Sequence, residues 1–509
     1  MNINMNVKEN KNVYVSGITN VSLNTNDSSL NISSLNVFYA SGLSNSGIIS
    51  INKNFVINES IANSLNINVT NGIYLENAGE IEGLYNLDYY YDNNNEKHKL
   101  NDTISIDVAL IKNYAPCLIK TNEFYANVKS IYNFRDINLT STANIYFTNV
   151  LYTGCISGKN INLTDIRNEG NINANISNNS TNALTLTNGF KKFVITGVFE
   201  EVSRGYSANI ISNNGNINFY IDKNVNTFIY NLYISGICYA NRSTFTDSTF
   251  SKYNPLNDNY DSDLIGTLNN AINNGTITST NYASETVNIT SEEIKSANEH
   301  IIIGIKYTSS NTNTSLLYGS SNISGICSFN ESIISNTFNI GDITNFNYIV
   351  KPNGNYNFKR DFEVNSAGIT FSNIGKYAQI KDSANNGVIK AFNMSSSTNS
   401  WANSAGISVR NDIDELYNDY DGTTNNASQM ILFTINYGEI YSHNYCENVD
   451  SIEKEQHAKS AGIMALGLCS IINTVNYGNI YGSEISSGIF SLIIFSLSKQ
   501  TITLCKQHS

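Results

Sequence analysis

Thiols and imidazoles are the side chains of this sequence best suited to bind a metal or to form a covalent bond. The seven cysteines show no Cys-x-x-Cys spacing, which argues against a zinc ribbon and against a dense disulfide framework. Cys238 and Cys327 each follow a Gly-Ile step and so occupy equivalent positions two repeats apart, where they need not touch. We expect free structural thiols. The cysteines are Cys117, Cys155, Cys238, Cys327, Cys446, Cys469 and Cys505.

Histidine and acidic residues give no metal template. His443, Cys446 and His457 form one cluster in sequence, with a spacing that suits no zinc site, and we expect solvated loop histidines. The acidic strings in 258–263 and 412–421 resemble calcium loops but lack the Gly at position six and the Glu at position twelve. The sequence therefore predicts no metal, no cofactor and no catalytic residue.

Enzyme and nucleic-acid classes have little support. No phosphate-cradling, dinucleotide-binding, hydrolase-elbow or zincin motif occurs. A polysaccharide lyase or glycoside hydrolase on a β-helix is the enzymatic alternative, because such enzymes place carboxylates on one exposed face. Here nearly all paired Asp and Glu residues fall inside insertions, so we predict that the chain is not an enzyme. The formal net charge of -12 opposes binding to a phosphate backbone.

Three polar stretches rich in tyrosine are the candidate binding loops. They lie at 82–102, 241–263 and 410–426 and interrupt an otherwise regular pattern. Aromatic side chains dominate interface energetics, so such loops suit a partner, although solvated loops that tolerate insertion are the more common reading. The candidate residues are Tyr89, Tyr90, Tyr91, Tyr260, Tyr417 and Tyr420.

Two short glycine signatures alternate along the chain and indicate the elements between these loops. One is a Ser/Ala-Gly-Ile step, as at 366–369, and the other is an Asn-x-Gly-x-Ile step, as at 385–389. Each pair spans about 40 residues, a period typical of solenoids and propellers. We expect the glycine of the second step to turn the backbone, because glycine accepts positive φ freely. These predicted structural turns are Gly215, Gly275, Gly341, Gly387, Gly438 and Gly478.

The segments between the glycines alternate apolar and polar residues with the period of a β-strand, as in 209–221. Repeated short strands separated by tight turns favour an all-β fold, a parallel β-helix or β-solenoid with about 20 residues per coil and a few loop insertions. Equivalent Ile side chains would stack in the interior, and stacked Asn side chains would add hydrogen-bonded ladders. Only 3 prolines occur, as parallel ladders require.

The predicted organisation is one elongated domain. Degenerate coils occupy 1–100, with the tyrosine-rich insertion at 82–102, and an irregular β segment, continuous with the solenoid, occupies 101–160. Regular repeats fill 161–487. The apolar tail at 488–509 is a cap or the scar of a truncated reading frame, and both ends suggest a piece of a longer surface protein.

The alternating glycine steps in a chain rich in Ser, Asn and Thr resemble the repeat regions of large microbial surface proteins: β-helical adhesins, autotransporter-like passengers and GLUG-type repeats. The resemblance covers most of 17–488. It implies a rod at the cell surface or secreted, with attachment or shielding as its role, and it carries over no catalytic residue.

We therefore predict a non-enzymatic protein that adheres to a host or cell-surface protein or glycan and that has no transmembrane helix. A structural spacer within a larger surface protein is the first alternative, and a carbohydrate-active β-helix enzyme is the second. An adhesin predicts tyrosine-rich loops converging on one face. An enzyme predicts three or more carboxylates within about 10 Å of one another in a groove.

Overall fold

The computed structural model describes most of the repeat region. The described residues are 13–15, 18–20, 38–45, 67–75, 79–91, 94–99, 104–106, 117–121, 126–141, 151–176, 189–221, 228–243, 265–284, 305–306, 316–350, 359–374, 378–395, 400–411, 429–446, 457–467, 469–482 and 485–492. Of these, 71% lie in β-strands and none lies in a helix. The strands, numbered β1 to β45 in chain order, form four stacked parallel sheets, so the predicted parallel β-helix is confirmed.

Sheets 1 and 2 lie on either side of the Ser/Ala-Gly-Ile step. Sheet 1 contains β12 (Leu151–Thr153), β16 (Gly189–Thr196), β20 (Phe228–Ser235), β25 (Leu316–Ser324), β29 (Lys359–Ala367), β34 (Trp401–Ala405), β39 (His457–Ala461) and β44 (Ile485–Ser487), with β24 (Ile305–Lys306) antiparallel to β25. Sheet 2 contains β1 (Val13–Val15), β2 (Ile18–Asn20), β4 (Ile67–Leu75), β9 (Cys117–Thr121), β13 (Ile156–Ser157), β17 (Phe199–Val202), β21 (Cys238–Asn241), β26 (Cys327–Asn330), β30 (Thr370–Asn373), β35 (Ser408–Asn411), β40 (Met464–Gly467) and β45 (Phe490–Leu492).

Sheets 3 and 4 lie on either side of the Asn-x-Gly step. Sheet 3 contains β3 (Phe38–Asn45), β5 (Gly79–Asn86), β10 (Ala126–Asn133), β14 (Ile161–Asn168), β18 (Ser207–Asn213), β22 (Thr267–Asn273), β27 (Ile333–Asn339), β31 (Gln379–Lys381), β32 (Ala384–Asn385), β36 (Met430–Leu432), β37 (Ile435–Asn436), β41 (Ser470–Ile472) and β42 (Val475–Asn476). Sheet 4 contains β8 (Ile104–Ile106), β11 (Ile137–Ser141), β15 (Ile172–Ile176), β19 (Ile217–Ile221), β23 (Ile277–Ser284), β28 (Ile343–Val350), β33 (Ile389–Ser395), β38 (Ile440–Cys446) and β43 (Ile480–Gly482). A separate antiparallel hairpin joins β6 (Tyr89–Tyr91) to β7 (Lys97–Lys99).

One coil passes through sheets 1, 2, 3 and 4 in turn and then returns to sheet 1. Equivalent residues of successive coils are 26 to 89 positions apart, as the pairs Ser460 with Ser486 and Cys238 with Cys327 show. The predicted coil length of about 20 residues is therefore wrong. The two glycine steps are not the turns of two separate coils, because each coil contains both of them as two of its bends.

A column of isoleucines runs through the interior at the start of sheet 4. Seven members lie two residues after the glycine of an Asn-x-Gly step, and Ile137 lies two residues after Arg135. In-register pairing places each one directly on its equivalent in the next coil. All eight belong to or pack against one continuous hydrophobic core, which confirms the predicted interior column. The column contains Ile137, Ile172, Ile217, Ile277, Ile343, Ile389, Ile440 and Ile480.

A ladder of hydrogen-bonded asparagines lies on the sheet 3 side of the same bend, as predicted. Its members are the Asn residues that end the strands of sheet 3, and each side chain bonds the next amide at 2.6 to 2.8 Å. The Nδ2 of Asn213, for example, donates to Oδ1 of Asn273 and also to the carbonyl of Gly215. The amides are therefore paired both along the rod and within their own turn, and a buried polar column becomes tolerable. The ladder contains Asn86, Asn133, Asn168, Asn213, Asn273, Asn339, Asn385, Asn436 and Asn476.

The two glycine steps face each other across the interior at this ladder. A Cβ added at Gly368 would lie 2.5 Å from Cγ of Asn385 and 2.1 Å from the carbonyl oxygen of Gly406. Gly368 therefore has no room for a methyl group, because real Cβ atoms do not come this close to other heavy atoms. The Ser/Ala-Gly-Ile glycine is thus required by the Asn of the other step in the same coil.

The six predicted turn glycines lie at the corner between sheets 3 and 4. Among the described residues, glycines with φ in the left-handed range occur elsewhere, and none of these six has such a φ. A Cβ at any of the six would instead lie 1.9 to 2.1 Å from the carbonyl oxygen of the equivalent glycine one coil earlier. Close approach between coils, rather than the expected positive φ, is why this corner needs glycine.

Positive φ occurs at a different place, in the middle of sheet 3. One residue per coil, always three positions before the ladder Asn, has φ between 50° and 74° and bends its strand. Ser130 and Asp165 show the pattern, since they lie unpaired between two in-register segments of β10 and β14. The positions are Gly83, Ser130, Asp165, Ile210, Asn270, Asn336, Asp382, Phe433 and Asn473.

Candidate binding surface

The first tyrosine-rich insertion is smaller than predicted. Residues 82–86 belong to β5, in register with β10, so the insertion follows Asn86. Tyr89, Tyr90 and Tyr91 form β6 and pair with Lys99, His98 and Lys97 of β7. The hairpin stands where other coils have the Asn-x-Gly corner, between sheets 3 and 4.

The other two insertions leave the coil at a common edge. Tyr260, Tyr417 and Tyr420 lie outside the described residues, within 244–264 and 412–428. Both segments connect a strand of sheet 2 to a strand of sheet 3, β21 to β22 in one case and β35 to β36 in the other. These coils are three steps apart, so the attachment points are about 14 Å apart along one edge.

A patch of exposed and half-exposed apolar side chains extends from the middle of sheet 3 across its corner with sheet 4 in the last coils that the structure describes. Sequence reasoning did not identify it as a binding surface, because its aromatic residues belong to the repeat itself. Tyr437 and Tyr477, the middle residues of two Asn-x-Gly steps, are 52% and 67% exposed. We call this patch the aromatic corner. It consists of Phe433, Tyr437, Tyr441, Ile472, Tyr477 and Tyr481.

The rings of the aromatic corner stack along the rod. The centroids of Tyr437 and Tyr477 are 5.3 Å apart with planes at 12°, and those of Tyr441 and Tyr481 are 4.6 Å apart at 11°. In-register parallel pairing places equivalent residues about 4.8 Å apart, which is the spacing of stacked rings. The coil repeat therefore fixes these rings before any partner arrives.

Charged and polar groups border the rings. The Tyr441 hydroxyl donates a hydrogen bond to the Glu439 carboxylate, which raises the pKa of Tyr441 to about 12. Lys390 Nζ lies 5.7 Å from the centroid of the Tyr441 ring. A shallow depression of about 300 Å³ lies beside them, and its lining is Phe392, Tyr441, Ser442, His443, Tyr481 and Gly482. Apolar ring surface beside a cation and hydroxyl groups suits an amphipathic ligand such as a sugar or a peptide.

One column of the same corner is polar in earlier coils. In the column of Tyr441 and Tyr481, earlier coils carry Asn138, Asn173 and Asn218, whose side-chain amides bond one another at 2.7 and 2.9 Å. In this column the aromatic rings are therefore confined to the last two described coils.

A second cluster lies where the outer faces of sheets 1 and 2 meet. Lys192 Nζ is 3.8 Å from the centroid of Tyr239, and burial lowers the pKa of Lys192 to about 8. Arg242 pairs with Glu331 and with Glu201, in the latter case at 3.6 Å from Nε to Oε2. Burial raises the pKa of Glu331 against the opposing effect of Arg242.

The third carboxylate of this cluster, Glu200, accepts hydrogen bonds from Ser157 Oγ at 2.8 Å and from the backbone N–H of Gly158 at 3.0 Å. Two carboxylates thus pair with one guanidinium, and Glu200 lies near Lys192 in the same cluster. We call this group the charged cluster, formed by Lys192, Glu200, Glu201, Arg242 and Glu331.

His443 and His457, expected to be solvated loop residues, both belong to strands and lie on different sheets. His443 lies exposed on sheet 4 beside the depression, whereas His457 belongs to sheet 1 and stacks on Trp401 with centroids 4.0 Å apart. In the described part of the chain, no group of three or more His, Cys, Asp and Glu residues is arranged to hold a metal ion. The same residues include no helix of the length and apolarity needed to cross a membrane.

Comparison with known proteins gives no relative: no protein-family model, no curated protein and no solved structure matches the chain.

Proposed function

We propose that this chain is a non-enzymatic binding protein, an elongated β-solenoid displayed at a cell surface or secreted, which attaches to a surface protein or glycan. The aromatic corner is the observation that carries this proposal. Contiguous exposed aromatic side chains are unusual on a soluble surface and are typical of interaction sites. Tyrosine in particular offers a large amphipathic contact area at low cost in side-chain entropy.

The placement of the insertions supports a binding surface on the same side of the rod as the aromatic corner. The edge between sheets 2 and 3 carries both 244–264 and 412–428, and the aromatic corner borders sheet 3 on its other side. A partner lying across sheet 3 would contact the corner and approach both attachment points. A structural spacer, the first alternative, needs no such concentration of aromatic residues.

The test removes the exposed rings and leaves the core intact. We expect the triple variant Tyr437→Ser, Tyr477→Ser, Tyr481→Ser to lose about tenfold or more in binding to glycan arrays and to intact cells, because aromatic anchors carry most interface energy. The matched control replaces Tyr85 and Tyr220, exposed tyrosines of distant coils, which are 45% and 41% exposed. Equal binding by wild type and triple variant would refute the aromatic corner, and no binding by wild type on any surface would favour the spacer.

A carbohydrate-active enzyme is a second candidate because of the charged cluster, where Glu201 and Glu331 both pair with Arg242. It predicts that the purified chain releases new reducing ends or unsaturated sugars from a polysaccharide, and that Glu201→Gln and Glu331→Gln abolish this. We favour binding, because Glu201 and Glu331 are occupied by Arg242, and Glu200 by a hydroxyl and a backbone donor.

A further inference from the structure

Two interior thiols that the sequence placed apart are direct neighbours in the fold. Cys238 and Cys327 are register partners in β21 and β26, in successive coils, so the expected separation of two repeats is wrong. The two cysteines were counted as two repeats apart because the single coil that separates them is 89 positions long, about twice the predicted repeat of 40 residues. Both residues are 0% exposed, and both are free thiols.

The geometry of the pair suits a covalent bond. Register partners in a parallel sheet have Cα atoms about 4.8 Å apart, within the range of 4.4 to 6.8 Å that disulfides span. Both side chains point into the same interior column, between Phe199 of the preceding coil and Thr370 of the following one. We propose that Cys238 and Cys327 form a disulfide that staples two successive coils when the chain folds under oxidising conditions.

Of the neighbouring strand pairs in sheet 2, this is the one at which a disulfide would most reduce the conformational entropy of the unfolded chain. The two residues are 89 positions apart, the largest separation between neighbouring strands of sheet 2, whereas Cys327 and Thr370 are 43 apart. The intervening chain includes the undescribed segments 244–264 and 285–304. Closing a long loop removes more conformational entropy from the unfolded chain than closing a short one.

The bond requires an external oxidant and has to form before the coils close. Each thiol loses its proton, one S–S bond forms, and two electrons reduce a disulfide of the oxidant, such as oxidised glutathione, to two thiols. In the folded chain both sulfurs are buried, and burial raises the pKa of the Cys238 thiol well above its usual value. The folded reduced protein should therefore resist oxidation, whereas the folding chain should accept it.

The direct test compares full-length protein made in the oxidising periplasm of a bacterial host with protein made in the reducing cytoplasm. After free thiols are alkylated under denaturing conditions, peptide mapping should show Cys238 linked to Cys327 in most periplasmic molecules and in few cytoplasmic ones. Adding oxidised glutathione to the folded cytoplasmic protein should increase the linked fraction less than twofold. Two alkylated cysteines in folded periplasmic protein, or linkage of either one to another cysteine, would overturn the proposal.

A cleavage experiment gives a second readout that does not depend on a cysteine variant folding. A protease recognition sequence inserted within 244–264 should yield two fragments that migrate as one band on a non-reducing gel and as two after reduction. Separation of the fragments without reductant would contradict the staple. Cys238→Ala should abolish the linkage, while Cys155→Ala, which removes another buried thiol, should leave it unchanged.

Discussion

The interior between sheets 1 and 4 differs between the two halves of the rod. In the earlier coils it is apolar, and the rings of Phe193 and Phe219 pack edge to face with centroids 5.4 Å apart. In the later coils the same columns carry serine, alanine and asparagine. One column of sheet 1 shows the change in order along the rod: Ile195, Ile234, Ile323, Ser366, Ser404 and Ser460.

Hydrogen bonds replace hydrophobic contacts in the later coils. Ser460 Oγ bonds Ser442 Oγ at 2.5 Å and donates to the carbonyl of Tyr481 at 2.9 Å. Ser321 and Asn345 likewise bond across the interior, at 2.8 Å between side chains. With smaller side chains between them, β29 and β33 approach to within 8 Å between Cα atoms, so the two sheets lie closer than at the phenylalanine pair.

The corner residues determine the path of each coil, whereas the side chains between sheets 1 and 4 determine only how far apart these two sheets lie. The Asn ladder, the glycine steps and the left-handed residue of sheet 3 continue through both halves, while the space between sheets 1 and 4 changes from largely apolar to largely polar. A solenoid whose stability is the sum of neighbouring-coil contacts tolerates such a change, because each coil needs to match only the next one.

The largest effect should come from the shared glycine step, and it should be equal in both halves. A Cβ at Gly236 or at Gly406 would lie 2.0 or 2.2 Å from a backbone carbonyl oxygen of the next coil. We expect Gly236→Ala and Gly406→Ala each to destabilise the fold by about 4 kcal/mol or more, measured by urea unfolding followed by circular dichroism. Gly488→Ala is the control, since nothing lies within 4 Å of its Cβ. If both variants unfold like this control, the close approach is not a constraint.

Exchanging the filling at one column should show opposite preferences in the two halves. Phe219 and Ala391 occupy the same column of sheet 4, and both are fully buried. Phe219→Ala should cost about 3 to 5 kcal/mol through the cavity it leaves. Ala391→Phe should cost about 1 to 3 kcal/mol, because Phe362 and Val364 already fill the space against it. Unfolding midpoints give both values, and a stabilising Ala391→Phe would show that the later coils are underpacked.

A smaller effect is expected from the polar column itself. Asn393 accepts a hydrogen bond from Asn347 at 2.7 Å and donates to the carbonyl of Phe362 at 3.2 Å, whereas its equivalent in an earlier coil is Ile221. Asn393→Leu should cost about 2 kcal/mol, since it leaves these buried partners unsatisfied. Hydrogen exchange of the amides of β28 and β33 would locate the loss. A neutral result would mean that the polar filling is a passive substitute for an apolar one.

The architecture was readable in the sequence because its strongest signals are local. Asn213, Gly215 and Ile217 lie within five residues, and each has one physical role, so their recurrence predicted parallel stacking, the Asn ladder and the isoleucine column. The coil length was misread because the contact between the two glycine steps crosses the interior. No local pattern shows that Gly197 faces Asn213 rather than a residue of another coil.

The candidate surface was largely missed for a related reason. Tyr437 and Tyr477 occupy the variable position of the Asn-x-Gly step, so in the sequence they belong to the repeat. The predicted binding residues were instead the tyrosines of the three insertions. Their significance depends on exposure and on stacking between coils, which only the register reveals. The charged cluster is similar, since Glu201, Arg242 and Glu331 are far apart in sequence.

The smallest expected effect concerns the left-handed residue of sheet 3, which belongs to both halves. Ile210 has φ of 58° and Phe433 has φ of 51°, a conformation that glycine and asparagine adopt readily and that costs bulky side chains about 1 kcal/mol or more. Both side chains are about half exposed, at 49% and 53%, so replacing them sacrifices little burial. We expect Ile210→Asn and Phe433→Asn each to stabilise the fold by about 0.5 to 1 kcal/mol, and the reciprocal change Asn270→Ile to destabilise it by as much. Unequal gains at the two sites would mean that the filling of the interior, and not the bend alone, determines the strain at this position.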